Sequence, residues 1–230
     1  MSPKVLVSAS EAKVVAHRMA GFAIVLHNLG GTIEEMEIPK HKSSWKFVPE
    51  KIKTKSSNDV FMSKERCHRL LCLKVAGRVA EEIAFGKDGI NDISAKEVEA
   101  AAKFARKMVL EFGMSEKFGN RAIIIPIENQ PDPSTWTPVG NSMVNKDIVT
   151  IMDRAFDKAR EIIETHKDMF EKLAQTLIER RKLGQDEIKA ILDGQELPKL
   201  ISEDETNKNG KSKSTILAHF AKMKSFVSKL

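Results

Sequence analysis

Ala16-His-Arg-Met-Ala-Gly-Phe-Ala-Ile-Val-Leu26 is the stretch that decides the fold, because it has the pattern of an amphipathic helix. Ser8 and Glu11 fit a capping box, so the helix is expected to begin near Ala9. Gly30-Gly31 is expected to end it. Its apolar side chains recur at helical spacing, and we expect them to pack in the core: Val14, Val15, Met19, Phe22, Ala23 and Leu26.

Outward from this helix, the chain alternates long helical patterns with short apolar stretches. The helical patterns are Ser63 to Phe85, Ser94 to Phe112, one long run from Lys146 to Leu183, and Asp186 to Leu192. The predicted strands are Thr32–Ile38 and Ala122–Ile127. Pro39–Asp59 is predicted to be a loop or a short hairpin, and Glu128–Asn145 an irregular loop. The sequence therefore predicts a mainly α (α+β) fold with a small β element and a long C-terminal helical bundle.

Length and composition favour one domain with an appendage. The chain has 230 residues, of which 41% are hydrophobic and 30% charged, with a net charge of +6. We expect the domain over residues 1–200, a flexible charged linker over 201–214 and a basic amphipathic tail over 215–230. No apolar run reaches the length of a membrane span. Scattered basic residues and 6% aromatics argue against nucleic acid as a partner.

The two cysteines, Cys67 and Cys72, lie within one predicted helix. A spacing of five residues on a helix is poor geometry for a disulfide. Zinc binding by the pair is also disfavoured, because the spacing is not that of a CxxC motif. We therefore expect both thiols to be reduced and to lie in the core.

Four motifs, in order, resemble the peptidase domain of FtsH-type ATP-dependent zinc metalloproteases over Ser10–Asp193. They are the stretch Val15–Val25, the motif Ala76-Gly-Arg-Val-Ala-Glu-Glu-Ile83, the pair Ala105-Arg-Lys-Met-Val109 and Phe112-Gly-Met-Ser115, and the pattern from Ala155 to Leu177. The resemblance implies a helical metalloprotease-like fold. The AAA+ half of the family is absent from this sequence: Gly210-Lys-Ser212 lacks the earlier glycine of a phosphate loop, since position 205 is Glu205.

The functional residues of the family do not carry over. The resemblance places the first zinc histidine on Arg18, the catalytic glutamate on Met19 and the second zinc histidine on Phe22. It places the third ligand, an aspartate, on Glu97. A zinc protease needs two histidines at i and i+4 with a glutamate beside the first. We therefore expect no catalytic residues, no zinc and no other cofactor, and we interpret the chain as an inactive pseudoprotease.

Arg18 and Glu97 each admit two interpretations. Glu97 completes a capping box with Ser94, which is a common and purely structural role. In the other interpretation, Arg18 lies near the former metal position, pairs with Glu97 and ties the two helices together. Alternatively, Arg18 extends its charged end to solvent.

The sequence is compatible with three functions. The leading one is a structural, assembly or peptide-binding subunit, with protein partners in a homo-oligomer or in a hetero-oligomer with active FtsH-type proteases. The first alternative is an active, ATP-independent zinc metallopeptidase with a rearranged site of Glu97 and either His17 or His27. The second is a membrane-surface module that works through the basic tail.

The C-terminal tripeptide Ser228-Lys229-Leu230 has the form of a peroxisomal import signal. The family resemblance instead implies a mitochondrion or plastid. A basic tail that frays in solvent explains the same residues without a targeting role. The sequence leaves the compartment open among these interpretations.

Overall fold

The computed structural model describes residues 6–41, 52–54, 62–116, 138–195 and 197, and the fold they form is mainly α, as predicted. The helices are α1 (Ala9–Asn28), α2 (Lys64–Phe85), α3 (Ala95–Leu110), α4 (Pro138–Thr165), α5 (Lys167–Arg180) and α6 (Gln185–Leu192). The strands are β1 (Gly31–Ile33), β2 (Glu35–Glu37), β3 (Ile52–Thr54) and β4 (Lys182–Gly184).

Helix α1 is the central element of the domain, because it packs against α2, α4 and α5. It begins with the predicted capping box: Glu11 N donates to Ser8 Oγ at 3.3 Å, and Ser8 N donates to Glu11 Oε2 at 2.9 Å. Its buried residues form a broad surface rather than one stripe, as expected for a helix surrounded by others. They are mostly small or β-branched: Ala12, Val15, Ala16, Ala20, Gly21, Ala23, Ile24, Val25 and Leu26, together with Arg18.

Helix α2 lies between α1, α3 and α4 and has the predicted bounds. Ser63 Oγ accepts the N–H of Arg66 at 3.2 Å and caps its first turn. Cys67 and Cys72 are free and buried in it, so the prediction of reduced core thiols is confirmed. Burial raises the pKa of both thiols, so a smaller fraction of each is in the reactive thiolate form.

The predicted strand Thr32–Ile38 is two short strands with different partners. β1 pairs antiparallel with β3, and β2 pairs antiparallel with β4, which follows α5. The pairing with β4 brings the C-terminal part of the domain beside the segment that follows α1. Sequence periodicity gave no indication of β4, whose first two residues, Lys182 and Leu183, lie at the end of the predicted long helical run.

The prediction of one continuous helix from Lys146 to Leu183 is wrong, because the structure has two helices there. The apolar stripe predicted for this run does face the core. The run consists of α4 and α5, which meet at His166. His166 has φ −113° and ψ 34°, outside the helical range, and its Nδ1 lies 2.9 Å from Ile162 O. Helix α4 packs mainly on α2, whereas α5 packs mainly on α1.

Several predictions lie outside the described residues. They are the strand Ala122–Ile127, the linker 201–214 and the tail 215–230. The predicted loop Glu128–Asn145 is wrong from Pro138 onward, because α4 begins there. Among the helices that the structure describes, none combines the length and the apolar character needed to cross a bilayer.

Candidate functional site

The Arg18 side chain is completely buried at the junction of α1, α2 and α3. Its Nη1 lies 2.9 Å from Oε1 of Glu81, on α2. Its Nη2 donates to Oε2 of Glu97, on α3, at 2.6 Å. The pairing with Glu97 is therefore confirmed, and the interpretation that Arg18 extends to solvent is wrong. The guanidinium therefore lies between two carboxylates, as an ion pair with Glu81 and as a charge-assisted hydrogen bond to Glu97.

Glu81 is as deeply buried as Arg18 and has a second polar neighbour. The Ser94 hydroxyl donates to Glu81 Oε2 at 3.2 Å, and Arg78 Nη1 donates to Ser94 Oγ at 3.1 Å. Arg18, Glu81 and Glu97 form a buried charged cluster. The predicted capping box of Ser94 and Glu97 is wrong, because Ser94 bonds to Glu81 and Glu97 bonds to Arg18 within this cluster. Ser94 itself has helical backbone angles, φ −82° and ψ −4°, rather than the extended angles of a capping residue.

Glu97 lies at the edge of the cluster, with 19% of its side chain exposed. Burial raises the pKa of its carboxyl, the Arg18 guanidinium opposes that shift, and the Glu81 carboxylate adds to it. An acid whose pKa is raised on folding binds protons more tightly in the folded state. Its contribution to stability is thus greatest below its ordinary pKa and declines as the pH rises through the raised value.

Gly77 provides the space for this cluster on the surface of α2. A Cβ atom at this position would lie 3.2 Å from Glu97 Oε2 and 3.3 Å from Arg18 Nη2. These are closer contacts than a methyl group normally makes with a polar atom. The absence of a side chain at Gly77 thus allows the Arg18–Glu97 pair to lie directly against the α2 backbone.

Gly77→Ala is expected to destabilise the domain by about 1 kcal/mol. Overpacking a fixed site costs roughly 1–3 kcal/mol, whereas alanine gains about 1 kcal/mol over glycine in a helix interior. The ion pair has little room to retreat, because Arg18 is enclosed on every side. Urea denaturation measures the difference. Lys74→Ala, at an exposed position of the same helix, is the matched control and is expected to change stability by less than about 0.5 kcal/mol. Equal or greater stability of Gly77→Ala would contradict the close contact.

The other positions of the former motif have apolar side chains. Met19 and Phe22 are half-buried, so the expectation that both pack in the core is only partly met. Ala20 and Gly21 are fully buried against neighbouring helices. A Cβ at Gly21 would lie 2.4 Å from Ala80 Cβ, which shows that the backbones of α1 and α2 approach closely here. The fully buried surface of α1 therefore depends on small residues.

The residues of the rearranged zinc site have other neighbours. The His17 ring packs edge-on against Phe85 and Phe170, at centroid distances of 5.1 and 5.7 Å. Its Nε2 lies 3.6 Å from a carboxylate oxygen of Glu171 on α5. His27 is exposed near the end of α1. Across the described residues, no group of three or more His, Cys, Asp or Glu side chains has the arrangement of a metal site.

The donor atoms at the former motif do not fit zinc. Zinc in proteins is bound by thiolate, imidazole or carboxylate groups. The Arg18 guanidinium offers only N–H donors, Phe22 has no donor atom, and Met19 has only a thioether. Glu97 is the one suitable ligand, and its Oε2 is bonded to Arg18. A permanent cation thus lies against the carboxylate at the third ligand position.

Sequence reasoning missed the roles of Glu81 and Ser94. Gly77 and Glu81 are four residues apart, so they lie on the same face of α2. A small residue one turn before a glutamate, within an otherwise apolar helical face, is the signal that a carboxylate is buried there. The partner of that carboxylate, Arg18, is too distant in sequence for spacing to reveal.

Comparisons with known proteins agree with this fold and motif order. The ATP-dependent zinc metalloprotease FtsH of Synechococcus sp. (strain JA-2-3B'a(2-13)) is 27% identical over 217 residues, which are 87% of this chain and 32% of the relative. The chloroplastic ATP-dependent zinc metalloprotease FTSH of Medicago sativa is 29% identical over 208 residues, 82% of this chain and 28% of the relative. The ATP-dependent zinc metalloprotease YME1L1 of Mus musculus is 31% identical over 125 residues, 54% of this chain and 16% of the relative.

The chain spans at most about a third of the length of these relatives. Peptidase family M41 matches residues 5–191. This range contains the charged cluster, helices α1 to α5, and α6 except for its last residue, Leu192. The chain therefore belongs to peptidase family M41.

Proposed function

We propose that this chain is a non-catalytic member of the family, a pseudoprotease that serves as a structural, assembly or peptide-binding subunit. One observation carries the proposal. At the position that the family resemblance assigns to the first zinc histidine, the buried Arg18 guanidinium lies 2.9 Å from Glu81 and 2.6 Å from Glu97. A positively charged group that is already paired with two carboxylates leaves neither charge nor lone pair for a metal.

The hydrolytic chemistry of the relatives would need two further groups. Metal-assisted hydrolysis requires a metal-bound water and a base that removes its proton. The position assigned to that base is Met19, whose thioether does not take up a proton at neutral pH. Three losses, at Arg18, Met19 and Phe22, thus act against the same step.

The proposed binding role is supported by what the domain retains. The substitutions change side chains within and beside the α1–α2–α3 junction, and the close packing of Gly21 on Ala80 remains. A domain that keeps its helical packing keeps surfaces on which another subunit can assemble. We propose that its partners are protein chains, either further copies of itself or active proteases of the same family.

The catalytic part of the proposal is tested on the purified full chain. We expect much less than one equivalent of zinc per chain by elemental analysis. We also expect no chelator-sensitive hydrolysis of unfolded casein. An active zinc-dependent relative, assayed in parallel, controls for substrate and buffer. Stoichiometric zinc, whose removal abolishes cleavage by this chain, would contradict the pseudoprotease and favour the rearranged site.

The assembly part has its own test. Light scattering after gel filtration gives the mass of the chain alone, and mixing with an FtsH-type protease shows whether a joint complex forms. A mass above that of one chain, or a joint complex, supports the subunit role. A monomer that neither binds such a protease nor retains unfolded peptides would overturn it.

The compartment is also a matter of proposal. The Medicago sativa relative is named as a chloroplastic protein. We propose an organelle as the location of this chain as well. The import signal Ser228-Lys229-Leu230 lies outside the described residues and stays a prediction, as does membrane binding by the tail.

A further inference from the structure

Three helices each contribute one charged side chain to the junction at Arg18. Arg18 comes from α1, Glu81 from α2 and Glu97 from α3. The Arg18 and Glu81 side chains are wholly inaccessible to solvent, so water cannot stabilise their charges. A buried carboxylate without a partner is strongly unfavourable, and two that share a site are more so. The convergence of α2 and α3 here therefore requires a cation between their carboxylates.

The geometry shows how one side chain meets this need. Nη1 and Nη2 of Arg18 approach different carboxylates, so the guanidinium bridges α2 and α3. The Ser94 hydroxyl satisfies the remaining oxygen of Glu81, and Gly77 leaves room for the bridge. A lysine ammonium is a compact point charge and lacks the planar fork that reaches two partners at once.

We propose that Arg18 is an internal structural cation, which joins α1, α2 and α3 through Glu81 and Glu97 and makes the stability of this domain independent of any bound metal. The inference rests on the proposed function, since it assigns this position to a guanidinium in place of zinc. It goes further because it assigns Arg18 a structural role. In this proposal, the residue at the position of the first metal ligand now connects three helices.

The first test uses the full chain in urea, with and without a zinc chelator and with added zinc. The unfolding midpoint is expected to be the same in all three conditions. A midpoint that falls on chelation, or rises with zinc at stoichiometric concentration, would show that a metal stabilises the native fold and would overturn the inference.

The second test is a double-mutant cycle of Arg18→Met and Glu97→Gln. Arg18→Met is expected to reduce the folding equilibrium constant by about two orders of magnitude or more. Adding Glu97→Gln to that variant removes an uncompensated carboxylate and is expected to recover about tenfold. The same Glu97→Gln change in the native chain removes a favourable pair and is expected to give no such gain. An equal effect of Glu97→Gln in both backgrounds means that the two residues are not coupled, and the inference fails.

If Arg18→Met does not accumulate as folded protein, Arg18→Lys provides the same comparison. One ammonium cannot serve both carboxylates, so Glu97→Gln is expected to cost less beside Lys than beside Arg. The two proposals fail in different ways. Zinc-dependent cleavage contradicts the pseudoprotease, whereas a metal-free and inactive protein without coupling between Arg18 and Glu97 contradicts only the structural cation.

Discussion

Arg18→Met is expected to lower the free energy of unfolding by about 3–5 kcal/mol, the usual cost of removing one partner from a buried ion pair. Methionine is unbranched and apolar, so the change keeps a flexible side chain at this position and removes the charge. Glu81 and Glu97 then face each other without a cation. Since a domain is stable by only about 5–15 kcal/mol, this is a large share of the total.

The loss should depend on pH in a defined direction. Burial raises the pKa of Glu97 and Arg18 opposes that shift, so without Arg18 the pKa of the Glu97 carboxyl is expected to lie further above that of the unfolded chain. Protonation then stabilises the folded state at low pH, and this stability is lost as the pH rises through the raised pKa. Urea denaturation should therefore show a larger deficit at about pH 8 than at about pH 5. Arg18→Lys retains a cation and should lose less at both. A deficit that is below about 1 kcal/mol and independent of pH would contradict a buried, charge-paired Arg18.

Local signals in the sequence were sufficient for the helices that have clear caps. Ser8 and Glu11 placed the start of α1, and Ser63 placed the start of α2, because a capping residue acts on backbone groups within its own turn. The family resemblance identified Arg18 and Glu97 as candidate residues. Their pairing was one interpretation, and an Arg18 side chain extended to solvent was the other. The fold class and the main candidate residues were thus predictable without the structure.

Non-local interactions account for what was not predicted. Ser94 and Glu97 have the spacing of a capping box, yet the need to satisfy the buried Glu81 and Arg18 outweighs a cap at the surface. The break at His166 coincides with a change of main neighbour, from α2 for α4 to α1 for α5, while the apolar periodicity runs on without interruption. β4 depends on its partner β2, which lies far away in sequence.

Gly21→Ala is expected to destabilise the domain by about 2 kcal/mol or more, although alanine is the better helix former by about 1 kcal/mol. Its Cβ would lie 2.4 Å from Ala80 Cβ and 3.3 Å from both Ala76 O and Ile163 Cδ1. Ile163 Cδ1 is the end of a flexible side chain and can shift, but Ala80 Cβ and the Ala76 carbonyl oxygen cannot rotate away. Helices α1 and α2 must therefore move apart along the surface that also holds Arg18 against Glu81. Thermal unfolding should show a midpoint lower by on the order of 5–10 °C.

Ala80→Gly provides the test of whether this clash is the cause. In the native chain the change is expected to cost about 1 kcal/mol or somewhat more, through lost helix propensity and a small void. In the Gly21→Ala background it removes the methyl group at 2.4 Å and should restore part of the lost stability, so that the double variant is more stable than Gly21→Ala alone. If the two losses simply add, α1 and α2 do not touch at these positions. Recovery would show that Gly21 and Ala80 hold the two helices together, because this contact involves neither Arg18 nor a metal.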